Sequence, residues 1–454
     1  MSHRPNKAPG PDEIANITLK KMFHTTAQHL QSLIQASINT SHFPTSFKST
    51  TTVVLRKPEK PDYTKANAYR PIALENTIGK LIESIMTELL SHALEEYQLI
   101  SPQHYGGRPG RTREDAMIML MERIMHAWKE RVFYLVVFMD VTGAFNYIHH
   151  KRLLHKLKKR KVPGFIVRWV KDFLGNRSTR LKFNGVESEK IYTNVGVPQG
   201  SPISPILYMF YNADLLEIPG DRSGVLSLGF IDDIAYGVQG ETEEDNAREL
   251  EGMLMEAERR REKHGARFEM SKYVLVYFSK AKPNITDAAH VRIGETTIKP
   301  ANKTKYLGVI FDRKLFFQEH IQHIAKKGAQ FVLAMSRIAN CTRGPAYKQT
   351  RTLFTSVVEP RMYYAATVWY RPFKGNVAPH QQISTAKLET AQRTAAKAIL
   401  GTFRTTSTAA PQIETSLPPL YLCLRNRVLQ SWTRMQTTPE IHPINEAIRR
   451  TTSS

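Results

Sequence analysis

One run limits the possible folds more than any other: Val132-Phe-Tyr-Leu-Val-Val-Phe-Met139, apolar or aromatic throughout and followed at once by Asp140. Successive residues of a strand face opposite sides, so a run without polar alternation needs cover on both faces. It reads as a central strand, with an acid where the strand leaves the core. A second stretch, Gly229-Phe-Ile-Asp-Asp-Ile-Ala-Tyr236, reads as strand, turn and strand with Asp232 and Asp233 side by side at the tip. Adjacent carboxylates disfavour each other's ionisation. A divalent cation removes that cost, because hard cations such as Mg²⁺ take carboxylate oxygens as ligands. An acid pair in a turn is ordinarily just solvated. If the hairpin neighbours the strand ending at Asp140, however, three carboxylates converge, and that is a ligand set for two metal ions.

The remaining pattern mixes strands and helices. Helical periodicity covers about 13–39, 76–97, 113–129, 149–160, 164–175 and 243–263, the last with Gly265 as its αL stop. Strands are expected at 52–56, 178–195, 268–278 and 305–311. From about 318 the pattern is helical, and 401–454, rich in Thr, Ser and Pro, reads as poorly packed. The class is α+β.

Charge narrows the function. Lys and Arg number 64 against 41 Asp and Glu, a formal charge of +23. Such an excess is the footprint of a polyanionic partner, most commonly nucleic acid. The cations are spread over Lys156 to Lys161, Arg259 to Lys263 and 303–361, which suits a long groove along a backbone better than one pocket. No apolar run approaches the roughly 18 residues of a membrane helix, and the N-terminus lacks a secretory apolar core. Only Cys341 and Cys423 are present, which excludes a disulfide framework and a cysteine-rich zinc module and fits a reducing compartment.

Asp140-Val-Thr-Gly-Ala-Phe145, Gly196-Val-Pro-Gln-Gly-Ser-Pro202 and Phe230-Ile-Asp-Asp233 resemble the successive palm motifs of reverse transcriptases. Lys7-Ala-Pro-Gly-Pro-Asp12, Tyr69-Arg-Pro-Ile-Ala-Leu74, Gly106-Gly-Arg-Pro-Gly-Arg111 and Tyr306-Leu-Gly-Val309 resemble those of non-LTR (LINE-type) retrotransposons. Asn212-Ala-Asp-Leu-Leu216 and Gly401-Thr-Phe-Arg404 look most like fungal elements. The resemblance runs from about residue 7 to 410, with the motifs in family order.

It implies a right-hand polymerase: N-terminal extension and fingers in 1–130, palm in 131–312, helical thumb in 313–400, and a tail in 401–454 that begins a truncated linker. It implies Asp140, Asp232 and Asp233 as catalytic carboxylates holding two Mg²⁺ ions (Mn²⁺ as an alternative), with the Val141 carbonyl as a further ligand. Phe145 would be the steric gate against a 2′-hydroxyl, with Gln199 and Gly200 lining the nucleotide pocket. Arg108 and Arg111 would neutralise the triphosphate, and Lys272 would protonate pyrophosphate. Tyr306, Leu307 and Gly308 would grip the primer. His149 and His150, beside the basic helix, read as phosphate-side or solvent-facing. Asn146 departs from the family, where Asp is frequent, and implies a tuned site.

The implied partners are an RNA template, a DNA primer and deoxynucleoside triphosphates, without a membrane, and the implied location is the nucleus or alternatively the mitochondrion. The expected activity is RNA-directed DNA polymerisation in retrotransposition. A decayed or co-opted copy that binds RNA without polymerising stays open beside it. An RNA-directed RNA polymerase is disfavoured by Ile231 and Phe145. The missing endonuclease, ribonuclease H and zinc-knuckle regions suggest a fragment of a longer element.

Overall fold

A computed structural model describes residues 7–452 apart from 59, 141, 142, 144, 221, 265–268, 281–288, 340–343, 374, 375, 378 and 404. The chain divides into two compact units. One comprises 1–111, 139–235 and 251–273, the other 112–138, 236–250 and 274–454.

The apolar run from Val132 to Met139 falls in strand Phe133–Asp140, with Tyr134 to Val137 fully buried. It is the third strand of a four-stranded sheet ordered Val225–Phe230, Asp233–Gly240, Phe133–Asp140, Val274–Phe278. It pairs antiparallel with the fourth, in register from Tyr134 opposite Phe278 to Phe138 opposite Val274. Burial on both faces is what a central strand without polar alternation requires.

In the first unit a second sheet joins strands Tyr69–Leu74, Ser49–Arg56 and Arg177–Phe183, with short strands Val186–Glu187 and Ile191–Thr193 on the last. Its centre is parallel, with Ser49 opposite Ser178 and Val53 opposite Lys182. Helix Thr77–Glu96 follows the first of these strands. Helices His150–Lys159 and Gly164–Leu174 pack on each other. Helix Ser204–Leu216 is enclosed: eleven of its thirteen residues are buried, Asn212 among them.

The second unit is helical around its share of the sheet. Helix Arg113–Lys129 starts at a reciprocal capping box between Thr112 and Asp115, the arrangement that satisfies two orphan amides at once. Long helices Gln318–Ile338 and Pro379–Leu400 pack together. The expected 305–311 strand is a hairpin instead. Strands Lys303–Tyr306 and Val309–Asp312 are joined at Leu307-Gly308, both at positive φ (47° and 92°). A two-residue turn with both φ positive matches the twist of the strands it joins.

The 401–454 segment is also not loose. It carries helices Ala409–Glu414, Leu420–Gln436 and Ile444–Thr452. Arg434 pairs with the fully buried Asp115, and Arg123 Nη2 meets Glu446 Oε1 at 3.1 Å. Many of its described Thr, Ser and Pro residues sit in caps and connections, so its composition concealed helices that complete the unit around Arg113–Lys129. The expected stop at Gly265 lies outside the described residues.

Candidate active site

The acid pair sits where strands Val225–Phe230 and Asp233–Gly240 are joined by Ile231 and Asp232, with Asp233 the first residue of the second strand. Ile231 has φ 59°, at the first turn position, where such hairpins usually carry glycine. A β-branched residue there is strained, at a cost of roughly 1–3 kcal/mol. Its surroundings hold it. Buried Asn212 donates its side-chain amide to the Ile231 carbonyl at 2.7 Å. On another side, Tyr105 N–H donates to Gly229 O at 2.7 Å and Gly229 N–H to Gln103 O at 3.0 Å, so the 103–105 segment pairs alongside the hairpin. Gly106 continues that brace: a Cβ there would lie 2.6 Å from the Ile231 amide. Only glycine lets the two backbones come this close.

The direction of the neighbouring strand follows from Asn246. Its side-chain amide donates to Phe133 O at 3.3 Å, while its Oδ1 would collide with a Cβ on Gly240. The end of Asp233–Gly240 therefore lies by the start of Phe133–Asp140, and the two paired strands run in opposite directions. The start of the first, at Asp233, is accordingly beside the end of the second, at Asp140. The Asp140 side chain and all of Val141 lie outside the described parts of the structure.

The loop after Asp140 is stitched to the glutamine-bearing loop. Val197 N–H donates to Phe145 O at 2.8 Å and Gly196 N–H to Ile148 O at 2.9 Å. Phe145 is half-buried, its ring 5.6 Å from that of Tyr208. Ala73 N–H donates to Gln199 O at 2.8 Å, tying this loop to strand Tyr69–Leu74. Gly200 has φ 131°, and a Cβ on it would stand 2.7 Å from the Ala73 carbonyl oxygen. A cavity lined by Thr52, Ala73, Asn146, His150, Arg177 and Gln199 opens beside these loops. His150 is not solvent-facing: its Nε2 meets Gly196 O at 2.7 Å, and burial lowers its pKa.

Behind the glutamine loop lies a buried charge network that composition and periodicity did not signal. Ser201 donates to Glu83, which is fully buried, and Arg177 Nη2 donates to Glu75 Oε1 at 2.7 Å. Burial, then the charge of Glu75, pushes the Glu83 carboxyl well above its ordinary range. The Arg177 guanidinium lies over the Phe173 ring, 4.5 Å from its centroid.

Several expected ligand contacts are instead structural. Arg108 makes a fork to Glu95 at 2.6 and 2.7 Å and donates to Ser101 O. Arg111 donates to the Pro102 carbonyl and lies near Glu95 at 3.8 Å. Both guanidiniums are buried in the 101–105 segment that braces the hairpin, so neither is presented to a triphosphate. The glycine-arginine motif announces phosphate binding, but a half-buried carboxylate partner answers the same chemistry. Lys272 pairs with Glu269 at 2.5 Å in a single 3₁₀ turn, Met270–Lys272. The Tyr306 ring is buried 5.1 Å from that of Phe138, while Leu307 O accepts from Tyr364 Oη at 2.7 Å. Tyr306 thus packs in the core at the base of that turn. Among the described residues no cluster of three or more His, Cys, Asp or Glu side chains forms a metal-binding group, and no helix is long and apolar enough to cross a membrane.

Residues 56–311, more than half the chain, match the family described as "Reverse transcriptase (RNA-dependent DNA polymerase)". The chain belongs to this family. Among proteins it is similar to, the "Probable RNA-directed DNA polymerase from transposon X-element" of Drosophila melanogaster is 27% identical over 80% of this chain and 40% of its own length. The "Retrovirus-related Pol polyprotein from type-1 retrotransposable element R1" of Bradysia coprophila is 24% identical over 95% of this chain and 42% of its own. The chain thus spans about two fifths of these relatives. They are insect non-LTR elements, so the likeness supports the retrotransposon reading and not its fungal detail. A solved telomerase structure from Candida albicans, with a fragment of telomeric RNA, matches at TM-score 0.40 and 10% identity over 89% of this chain and 69% of that one.

Proposed function

We propose that the chain is an RNA-directed DNA polymerase that copies an RNA template from a DNA primer, as part of retrotransposition at chromosomal DNA in the nucleus. The observation that carries the reading is the braced Asp232-Asp233 turn beside the end of the strand carrying Asp140, in a chain of this family. The donor set is all oxygen, which fits Mg²⁺. Asp140, Asp232 and Asp233, with the Val141 carbonyl, would hold two such ions. When bound, the metals lower the pKa of an attacking hydroxyl and offset the charge of the leaving pyrophosphate.

The chain's own groups do the rest. Phe145 stands under the incoming sugar and excludes a 2′-hydroxyl by bulk. Gln199 and Gly200 shape the base and sugar pocket from a loop whose backbone is tied to Ala73. Asn212 and the 103–106 segment keep the acid pair in register with the neighbouring strand. Fingers, palm and thumb would follow the divisions at about residues 130, 312 and 400. Lys272 would act on pyrophosphate only after leaving Glu269. The test is primer extension on an RNA template with deoxy- and ribonucleotides. Extension with deoxynucleotides that disappears in Asp232→Ala supports the proposal, and no extension with either nucleotide overturns it.

A further inference from the structure

Helix His150–Lys159 is cationic at both ends: Lys156, Lys158 and Lys159 in the last turn suit the helix dipole, but its first turn is cationic as well. No acid lies in its first turn, and Lys151 and Arg152 sit at the end where the helix dipole already presents positive charge. By contrast, Glu114 and Asp115 open one helix, and Glu243, Glu244 and Asp245 open another. Lys151, Arg152, Lys158 and Lys159 are all exposed on this helix. Lys158, Lys161, Arg168 and Lys171 extend the exposed surface onto helix Gly164–Leu174, and residues 149–171 contain no acid.

The carboxylates bordering this surface are already paired. Asp214 takes Lys156 at 3.2 Å and Arg160 at 2.7 Å, Glu217 takes Arg160 at 2.7 Å, and Asp172 takes Lys48 at 3.2 Å. Among the described residues Lys151, Lys158, Lys159, Lys161 and Lys171 have no ion-pair partner.

This surface looks away from the catalytic turn. Leu153, Lys156 and Leu157 face inward, and Lys156 donates to the Tyr211 carbonyl of helix Ser204–Leu216. That enclosed helix bonds the catalytic hairpin on its other side through Asn212 and through Ser227 Oγ, which donates to Leu216 O at 2.8 Å. The exposed cations are therefore separated from Asp232 by a full helix layer. From Lys151 to Lys159 the helix is about 12 Å long, enough to span several charges of a nucleic-acid backbone.

We propose that the exposed face of helices His150–Lys159 and Gly164–Leu174 is a second nucleic-acid surface, which binds the phosphate backbone of a duplex segment outside the catalytic centre. Phosphate is the counter-charge that a cation surface without acids of its own attracts. The face discriminates by charge, and the RNA and DNA arms of the test separate the two sources of duplex. The proposal goes beyond polymerisation, since binding is measured in Asp232→Ala protein.

The test compares that protein with a variant also carrying Lys151→Gln, Lys158→Gln, Lys159→Gln and Lys171→Gln, and with the four Lys→Arg changes. Anisotropy is measured on a minimal primer–template and on the same primer–template extended by an RNA or a DNA hairpin duplex, between 50 and 200 mM salt. Three or four lost phosphate contacts lower the slope of log affinity against log salt by about 3 for a hairpin-bearing ligand. The expected result is a roughly ten- to hundredfold weakening for the RNA or the DNA hairpin ligand, little change for the minimal one, and rescue by arginine. Unchanged affinity and slope for both hairpins would overturn the proposal. So would an equal loss on the minimal ligand, which would assign the cations to the primer–template path.

Discussion

The side-chain amide of Asn212 lies 2.7 Å from the carbonyl oxygen of Ile231, the residue whose positive φ strains the Asp232-Asp233 turn. The bond comes from an enclosed helix and reaches the turn from beneath. It links a buried core position directly to the geometry of the two carboxylates that follow.

Replacing Asn212 with Ala leaves that carbonyl without its donor, at a cost of about 1–3 kcal/mol to stability. The polymerase account expects a further effect on the metal. Under the proposed activity kcat should fall roughly ten- to hundredfold, by analogy with loss of a group that orients ligands, and the Mg²⁺ concentration for half-maximal extension should rise. A melting shift with an unchanged Mg²⁺ titration would reduce Asn212 to a packing residue.

Arg108 and Glu95 should behave as one unit. Arg108→Ala and Glu95→Ala each loosen the segment bracing the hairpin, and the double variant should be little worse than either alone, because both remove the same bidentate pair. A triphosphate-binding role would instead give Arg108→Ala a raised nucleotide KM and leave Glu95→Ala near wild type. Steady-state nucleotide titrations of the three variants distinguish the cases.

Because Glu83 is fully buried beside Glu75, with its carboxyl pushed well above the ordinary range, Glu83→Gln should be tolerated within about 1 kcal/mol. Arg177→Met should not: it strands the Glu75 carboxylate in the core and should cost about 3–5 kcal/mol. Urea midpoints of the two variants, read at neutral pH, provide the comparison.

The buried histidines set a pH dependence. Burial lowers the pKa of His320 to about 4 and that of His104 to about 3, against 6.5 when exposed. Between pH 6.5 and these values the unfolded chain holds protons that the folded chain does not. Stability is therefore fully present above 6.5 and is lost as pH falls toward 4 and 3. The raised carboxyls of Glu75 and Glu83 act with the opposite sign above 4.5, so the effect is best isolated by difference. From pH 7.5 to 5, wild type should lose about 2 kcal/mol more than His320→Gln. Parallel pH curves would contradict this.

The parts legible in sequence were those where burial leaves no choice. The run from Val132 to Met139 can only be a central strand, and Gly200 had to be glycine where backbone meets backbone. The α+β class and most helices followed from periodicity. What escaped was long-range pairing. Arg108 and Arg111 look like anion binders until Glu95, in the preceding helix, is found beside them. The Leu307-Gly308 turn was hidden because Leu307 takes a positive φ that its residue type does not announce. The three helices beyond 401 were hidden because their apolar positions, such as Leu420, Leu424 and Met435, are sparse and become buried only against other helices. Nothing local foretold the bond from Asn212 to Ile231, although the Asn212–Leu216 motif stood out.

The most direct measurement is extension of a DNA primer on an RNA template with Mg²⁺, run with deoxynucleotides, with ribonucleotides, and with Phe145→Ala and Asp232→Ala variants. The account predicts extension with deoxynucleotides alone, ribonucleotide incorporation gained by Phe145→Ala, and no product from Asp232→Ala. Undiminished extension by Asp232→Ala, or no extension by a folded, RNA-binding wild type, would contradict it.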